Sequence, residues 1–336
     1  MNRPFPNTVA RPPSRRLVLR AAAAGVALLA AWPALAADAW PSRTIQLVVP
    51  FPAGGATDVI GRIFARALGD RLGQTVVVEN RAGAGTAIGA GYVAKAPADG
   101  YTLLVSSGTT FTVNPAINPR LPYDPLKSFQ PLGVVGATPL ILLAHPAVKA
   151  NSPKSFAALV KSAPGKFSWA SYGSGTTAHF AGELLQRATG TSMVHVPYKG
   201  SAPAMSDLMA GHVEFSVDTL TAAIPQLKAG KVKAIGVTTA RRSPLLPEVP
   251  SFQEQGYTLD ADTWLAFVAP RGLPPAVQAR LEKTLAEIVA QPEIREKMAA
   301  AGMEPGFRSA AQLEKLIETE LPLMRATAAR ANIHAE

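Results

Sequence analysis

Two apolar spacings alternate along this chain and divide it into strand-like and helix-like pieces. Residues 44–49 form a short apolar run. From 58 to 72 the apolar positions recur every three or four residues: Val59, Ile60, Ile63, Phe64, Ala67, Leu68 and Leu72. Arg62, Arg66 and Asp70 take the other face, so an amphipathic helix is predicted, ended by Gly73. Residues 75–79 are a continuous β-branched run, expected to be a strand buried on both faces. A helix over 86–95 follows, with Thr86 as its N-cap. A third strand, 101–105, runs into Ser106.

Residues 114–131 are rich in proline and lack periodicity, which predicts a connector. A short strand at 140–144 opens a second alternating run. Helices are predicted at 154–162, Thr177–Thr189, 202–210 and 222–229, and strands at 167–170, 193–196, 213–217 and 233–238. Residues 244–250 form another connector before a strand at 263–269. Two or three helices close the chain, over Pro275–Ala290, 292–301 and Ala310–Ala331, the last with a kink at Pro322. Strands alternating with helices imply an α/β protein with mostly parallel sheets. A purely helical tail has no strands of its own to cover, so it should pack back on the first sheet. The expected layout is a first lobe from 37–140 and 263–336 and a second lobe from 141–262. Two crossings between lobes make a hinge, and the cleft between them is a favoured ligand site.

The start of the chain departs from this pattern. Arg15, Arg16 and Arg20 precede an apolar run from Ala21 to Leu35, and Ala34-Leu35-Ala36 has the small-residue spacing of a cleavage site. Residues 1–36 therefore read as a signal peptide for export to the periplasm, of twin-arginine or Sec type. The whole chain carries 33 Lys and Arg against 23 Asp and Glu. The leader holds five of the arginines and no acid, which leaves 28 cations against 23 acids in the mature chain. That mild excess suits an anionic ligand. No basic cluster with interleaved aromatics points to nucleic acid. With no Cys in the sequence, a disulfide framework and a lipidated cysteine are both excluded.

Two stretches carry candidate chemistry. In residues 50–58, Pro50-Phe51-Pro52-Ala53-Gly54-Gly55-Ala56-Thr57-Asp58, a strand turns into a helix through two prolines and two glycines. Free N–H groups and the dipole at the helix start favour a carboxylate or phosphate. Asp58 reads as a helix cap rather than a ligand contact. Residues 171–177, Ser171-Tyr172-Gly173-Ser174-Gly175-Thr176-Thr177, repeat the same strand–turn–helix form. One such junction per lobe would make a clamp. Asp218, at the end of a strand, is either a ligand contact or a helix cap. Tyr198 and Trp264 are either cleft walls or core. Gly83, Gly85 and Gly89 suit a tight turn with close helix packing. The histidines have no i,i+4 pair, so neither metal nor cofactor is expected. A competing reading, Ser174 and His179 as a hydrolase pair, rests on a near-match to a nucleophile elbow.

The chain also resembles the Bug family, the periplasmic solute receptors of tripartite tricarboxylate transport systems. The matching strings are Pro50-Phe51-Pro52-Ala53-Gly54-Gly55 with Asp58, Val77-Val78-Glu79-Asn80-Arg81, Asp99-Gly100-Tyr101-Thr102-Leu103-Leu104, Leu121-Pro122-Tyr123-Asp124-Pro125 and His195-Val196-Pro197-Tyr198-Lys199-Gly200. The resemblance implies a two-lobed, type II-like Venus-flytrap fold with two crossing strands. It implies a non-enzymatic monomer that holds a small carboxylate and presents it to a membrane permease or a sensor protein. Carried over, the ligand contacts are Phe51, Pro52, Ala53, Gly54, Gly55 and Thr57, then Ser171, Gly173, Gly175, Thr176, Thr177 and Asp218. Ser106, at the end of the third strand, joins them as a candidate. Ala82 stands where the family usually has Pro, and Thr86 where it often has Gly.

Overall fold

The computed structural model describes residues 40–331, 333 and 334; the signal-peptide reading of 1–36 lies outside them. The unit that begins at Arg43 holds every strand and helix of the described chain. It opens with β1 (Ile45–Val49), α1 (Ala56–Leu72), β2 (Val76–Asn80), α2 (Ala87–Ala94) and β3 (Thr102–Ser107). The strand β1 lies between β2 and β3, parallel to both. Two signals set the ends of α1. Gly55 precedes it in extended conformation, and Gly73 closes it in the left-handed region with its N–H on Gly69 O.

A one-turn π-helix (Thr109–Val113) and α3 (Asn114–Ile117) lead to β4 (Phe129–Ala144). Then come α4 (Pro153–Lys161), β5 (Ser168–Ser171), α5 (Thr177–Thr189), β6 (Val194–Pro197), α6 (Ser201–Ala210), β7 (Phe215–Thr219), α7 (Leu220–Lys228) and β8 (Lys233–Val237). The chain returns through β9 (Asp262–Pro270) and ends in α8 (Pro275–Ala290), α9 (Pro292–Ala300), β10 (Glu304–Arg308) and α10 (Ala310–Ala331). Strand order is β2-β1-β3-β9-β4-β7-β5-β6, with β8 and β10 also on β4. Up to Pro139, β4 pairs antiparallel with β9; from Leu140 it pairs with β7 and β8. The antiparallel pair β9–β4 thus joins two parallel sets, β2-β1-β3 through β9 and β7-β5-β6 through β4.

The α/β architecture is as expected, but the sheet is mixed rather than mostly parallel, because β9, β4 and β10 enter it antiparallel, with local corrections besides. The strand predicted at 140–144 is the second half of a 16-residue strand. Its first half contains Pro131, Gly133, Gly136 and Pro139, which resemble breakers; the first three flank register shifts in the ladder with β9, and Pro139 stays in register opposite Asp262. The tail is not purely helical. Strand β10 pairs with β4 over Gly133 and Gly136, where an added Cβ would come within 2.8 Å of Arg308 O and 2.7 Å of Glu304 O. A third correction concerns β2, which is an edge strand with Val77 about half exposed, rather than one buried on both faces. Thr86 does not cap α2 with its side chain; it has φ +80°, and its hydroxyl accepts from Thr110 Oγ1 at 2.8 Å. The last helix runs through Pro322 without interruption.

One apolar core gathers Leu104, Phe111, Phe129, Trp264 and Leu313, and another Phe156, Trp169, Phe215 and Phe252.

Candidate ligand-binding site

The first junction is built around Asp58. Its Oδ2 accepts from Gly54 N–H at 2.9 Å, and its Oδ1 accepts from Asn80 Nδ2 at 2.9 Å. Arg62 pairs with it one turn along α1, at 2.9 Å. Burial pushes the Asp58 carboxyl up, but the hydrogen bonds from Arg62, Gly54 and Asn80 outweigh it and hold the group below its ordinary value. Asn80 also donates to Phe51 O at 3.0 Å, tying the turn to β2. Asp58 is not the helix cap expected from sequence: Gly55 holds that position, and Asp58, inside the first turn, braces the preceding turn through Gly54.

In front of it lies an inner cavity. Phe51, Pro52, Gly55, Ala56 and Thr57 form one wall. Ser107 of β3, Thr138 of β4, and Thr263 and Leu265 of β9 form the floor. Tyr172, Gly200, Ser201 and Thr219 close the opposite side. No Lys, Arg, His, Asp or Glu is among these lining residues. Room for the centre of a water-sized sphere is only about 30 Å³. An outer chamber of about 540 Å³ shares Phe51, Pro52, Tyr172 and Gly200 with the inner one, and adds Tyr198 and Lys199. These shared residues meet across the opening. The Phe51 and Tyr172 rings lie edge to face at 6.5 Å, and a Cβ on Gly200 would stand 3.1 Å from Pro52 Cγ.

Sequence reasoning named Phe51, Pro52, Gly55 and Thr57, and the structure brings all four to the inner cavity. Ala53 and Gly54 are exposed and lie outside its lining, and the Gly54 N–H is already engaged by Asp58. Ser106 is fully buried in the wall, with its hydroxyl 2.5 Å from Thr110 Oγ1. Its neighbour Ser107 lines the cavity instead, since successive strand residues point to opposite faces.

The second junction turns most of its polar groups inward. Ser171 Oγ lies 2.8 Å from His195 Nε2, and Thr176 Oγ1 donates to Gly173 O at 2.7 Å. Gly175 N–H donates to His179 Nδ1 at 3.2 Å. Thr177 N–H donates to Thr109 Oγ1 at 3.1 Å, and Thr177 Oγ1 is 2.5 Å from the Tyr172 hydroxyl. Gly173 and Thr176 line only the outer chamber, and Ser171, Gly175 and Thr177 line neither chamber. Tyr172 is what this turn presents to the inner cavity.

Asp218 stands behind the wall, fully buried. Its Oδ1 accepts from Ser201 Oγ at 2.9 Å, from Thr219 N–H at 2.7 Å and from Thr219 Oγ1 at 3.3 Å. Its Oδ2 has no hydrogen-bond partner among the described residues. Burial pushes its carboxyl up to about 6. Thr219, not Asp218, caps α7, accepting from Ala222 N–H at 3.3 Å.

The hydrolase pair is not assembled. Ser174 Oγ has no hydrogen-bond partner among the described residues, so no base activates it. His179 is instead stacked on His195 with centroids 4.3 Å apart. Burial, then the neighbouring His179, pushes His195 down to about 3. Trp264 is buried core, stacked on Phe111.

A family profile described as the tripartite tricarboxylate transporter family receptor matches residues 60–330. The chain belongs to that receptor family. Its relatives include BugT of Bordetella pertussis, 38% identical over 289 residues that cover 85% of this chain and 89% of BugT. Among solved structures, the periplasmic binding protein BugD is 35% identical with a TM-score of 0.84, over 88% of this chain and all of BugD. An R. palustris protein solved with adipate is 34% identical, TM-score 0.85, over 88% of this chain and 99% of that one. The R. palustris protein MatC, solved with malate, is 31% identical, TM-score 0.80, over 86% and 99%. The family and the fold are those of binding receptors. The profile match begins inside α1, so the Phe51–Pro52 turn at the cavity mouth rests on geometry.

Proposed function

We propose that the protein is a periplasmic receptor that captures a small carboxylate between two lobes and delivers it to a tripartite tricarboxylate-type permease. The lobes in this reading are 37–140 with 263–336, and 141–262, matching the point where β4 changes partners at Leu140. The observation that carries the reading is the start of α1. Gly55, Ala56 and Thr57 open onto a cavity lined by hydroxyls and apolar groups and free of charged side chains. At this end of the cavity the backbone N–H groups and the helix dipole favour an anion. The carboxylates held by two structural neighbours, adipate and malate, support the same class of ligand.

Calorimetry of the purified exported chain against a panel of mono- and dicarboxylates tests this. At least one acid should saturate the protein. A ligand at one hundred times its Kd should add about 2.7 kcal/mol to stability, readable as a rise in Tm. A panel that gives neither heat nor a thermal shift would end the carboxylate reading. Loss of uptake in cells lacking the receptor, restored by the intact chain, tests delivery.

A further inference from the structure

The floor of the inner cavity has a hydrogen-bonding pattern of its own. Thr263 faces Thr138 across the β9–β4 ladder, and Leu265, two residues along on the same face, pairs with Ser107 of β3. The Thr138 hydroxyl donates to Gly302 O at 2.9 Å and is engaged. The Ser107 oxygen accepts from Thr109 N–H at 3.3 Å, which leaves its proton free. Thr263 is 3% exposed, lines the cavity, and its Oγ1 has no hydrogen-bond partner among the described residues. A buried hydroxyl without a partner is unfavourable unless something enters to bond it.

The facing wall is complementary. Ser201 and Thr219 both direct their hydroxyl protons at Asp218 Oδ1. Ser201 therefore shows the cavity only lone pairs, and the buried Asp218 carboxylate stands directly behind it. A group placed between this wall and the floor must donate to one and accept from the other. A hydroxyl does both. A second carboxylate can only accept, meets no cation in the lining, and is repelled by Asp218 at short range in a poorly solvated site.

We propose that the distal group of the ligand is a neutral donor–acceptor group, a hydroxyl in its simplest form, so that the receptor prefers a hydroxy-monocarboxylate to the matching dicarboxylate. Thr263 is the residue that sets this preference. The inference rests on the proposed reading that α1 holds the first carboxylate.

The test is calorimetry at pH 7.5 with two matched pairs, 4-hydroxybutyrate with succinate and 6-hydroxyhexanoate with adipate. The expected result is that the hydroxy acid binds at least tenfold tighter in one pair or both. Thr263→Val should reduce that ratio to threefold or less while the acid still binds, and Thr263→Ser should restore it. A dicarboxylate that binds as tightly as its partner, or tighter, in both pairs overturns the specificity inference and leaves the carboxylate reading standing. An undiminished ratio in Thr263→Val overturns the role of Thr263. If none of the four acids binds but another acid of the wider mono- and dicarboxylate panel does, the specificity inference alone is overturned; a wholly silent panel, on protein with a cooperative melt, removes both the inference and the reading beneath it.

Discussion

Asp218 is the residue whose burial has the clearest consequence for stability. Burial raises its carboxyl from the ordinary 3.8 to about 6. The folded state therefore binds a proton more readily than the unfolded chain between these values. Stability falls as pH rises through that window, by on the order of 3 kcal/mol. Asp218→Asn keeps the Oδ1 acceptor for Ser201 and Thr219 and removes the charge. Its amide takes the place of the unpartnered Oδ2, which offsets part of the gain. The expected outcome is a smaller stability difference between pH 4 and pH 8 in the variant than in the parent, measured by urea unfolding. An equal difference would show that Asp218 is not the titrating group. This residue also shows how far a sequence can be read at this scale. Its strand and its polar neighbours were legible, but not the direction of its carboxylate. Ser106 and Ser107 differ by one position in a strand, and only pairing with β9 decides which faces the cavity. Gly54 looked like a donor to a ligand because Asp58, four residues on, gives no sign in the sequence of reaching back to it.

At the scale of elements, helix α5 was legible to the residue, although Thr176, expected as a ligand contact, turns out to cap it by accepting from His179 N–H. What the pattern hid is why a glycine sits inside it. A Cβ on Gly182 would lie 2.1 Å from the buried Trp169 ring. The close approach of helix and strand outweighs the roughly 1 kcal/mol that glycine loses against alanine in a helix. Gly182→Ala should therefore destabilise despite its better propensity, by about 1–3 kcal/mol or more, since overpacked cores move backbone or force strained rotamers. Thermal unfolding checks it, and a Tm equal to or above the parent's would show that Trp169 can shift freely. The strands misread from sequence, β4, β10 and the edge strand β2, share one cause. Each is defined by a partner far away in the chain. Gly133 and Gly136 in β4 are where β10 packs close, and β2 is an edge because no described strand pairs with its far side, a fact absent from its own β-branched run.

For the whole molecule, the α/β alternation and the ordered motifs were enough to place the chain in its receptor family, because that architecture is written in repeated local patterns. The division of the cavity was not legible, since it depends on how Phe51 and Pro52 meet Tyr172 and Gly200, which are more than a hundred residues away. That contact has a kinetic consequence. The inner space of about 30 Å³ has room for only a few waters at roughly 10–15 Å³ each, less than a four-carbon acid requires. If the inner cavity holds the ligand as proposed, entry requires Phe51 to separate from Tyr172, with the outer chamber on the way in. The observed association rate of the parent protein should level off as ligand concentration rises, at the opening rate. Tyr172→Ala removes the ring that divides the chambers, so its rate should keep rising linearly over the same range and dissociation should quicken. Tyr172→Phe separates the two roles of this side chain, because it keeps the ring against Phe51 and loses only the hydroxyl contact with Thr177. It should retain the plateau. Stopped-flow fluorescence on the three proteins measures this, and a plateau of unchanged height in Tyr172→Ala would show that the aromatic pair does not control access.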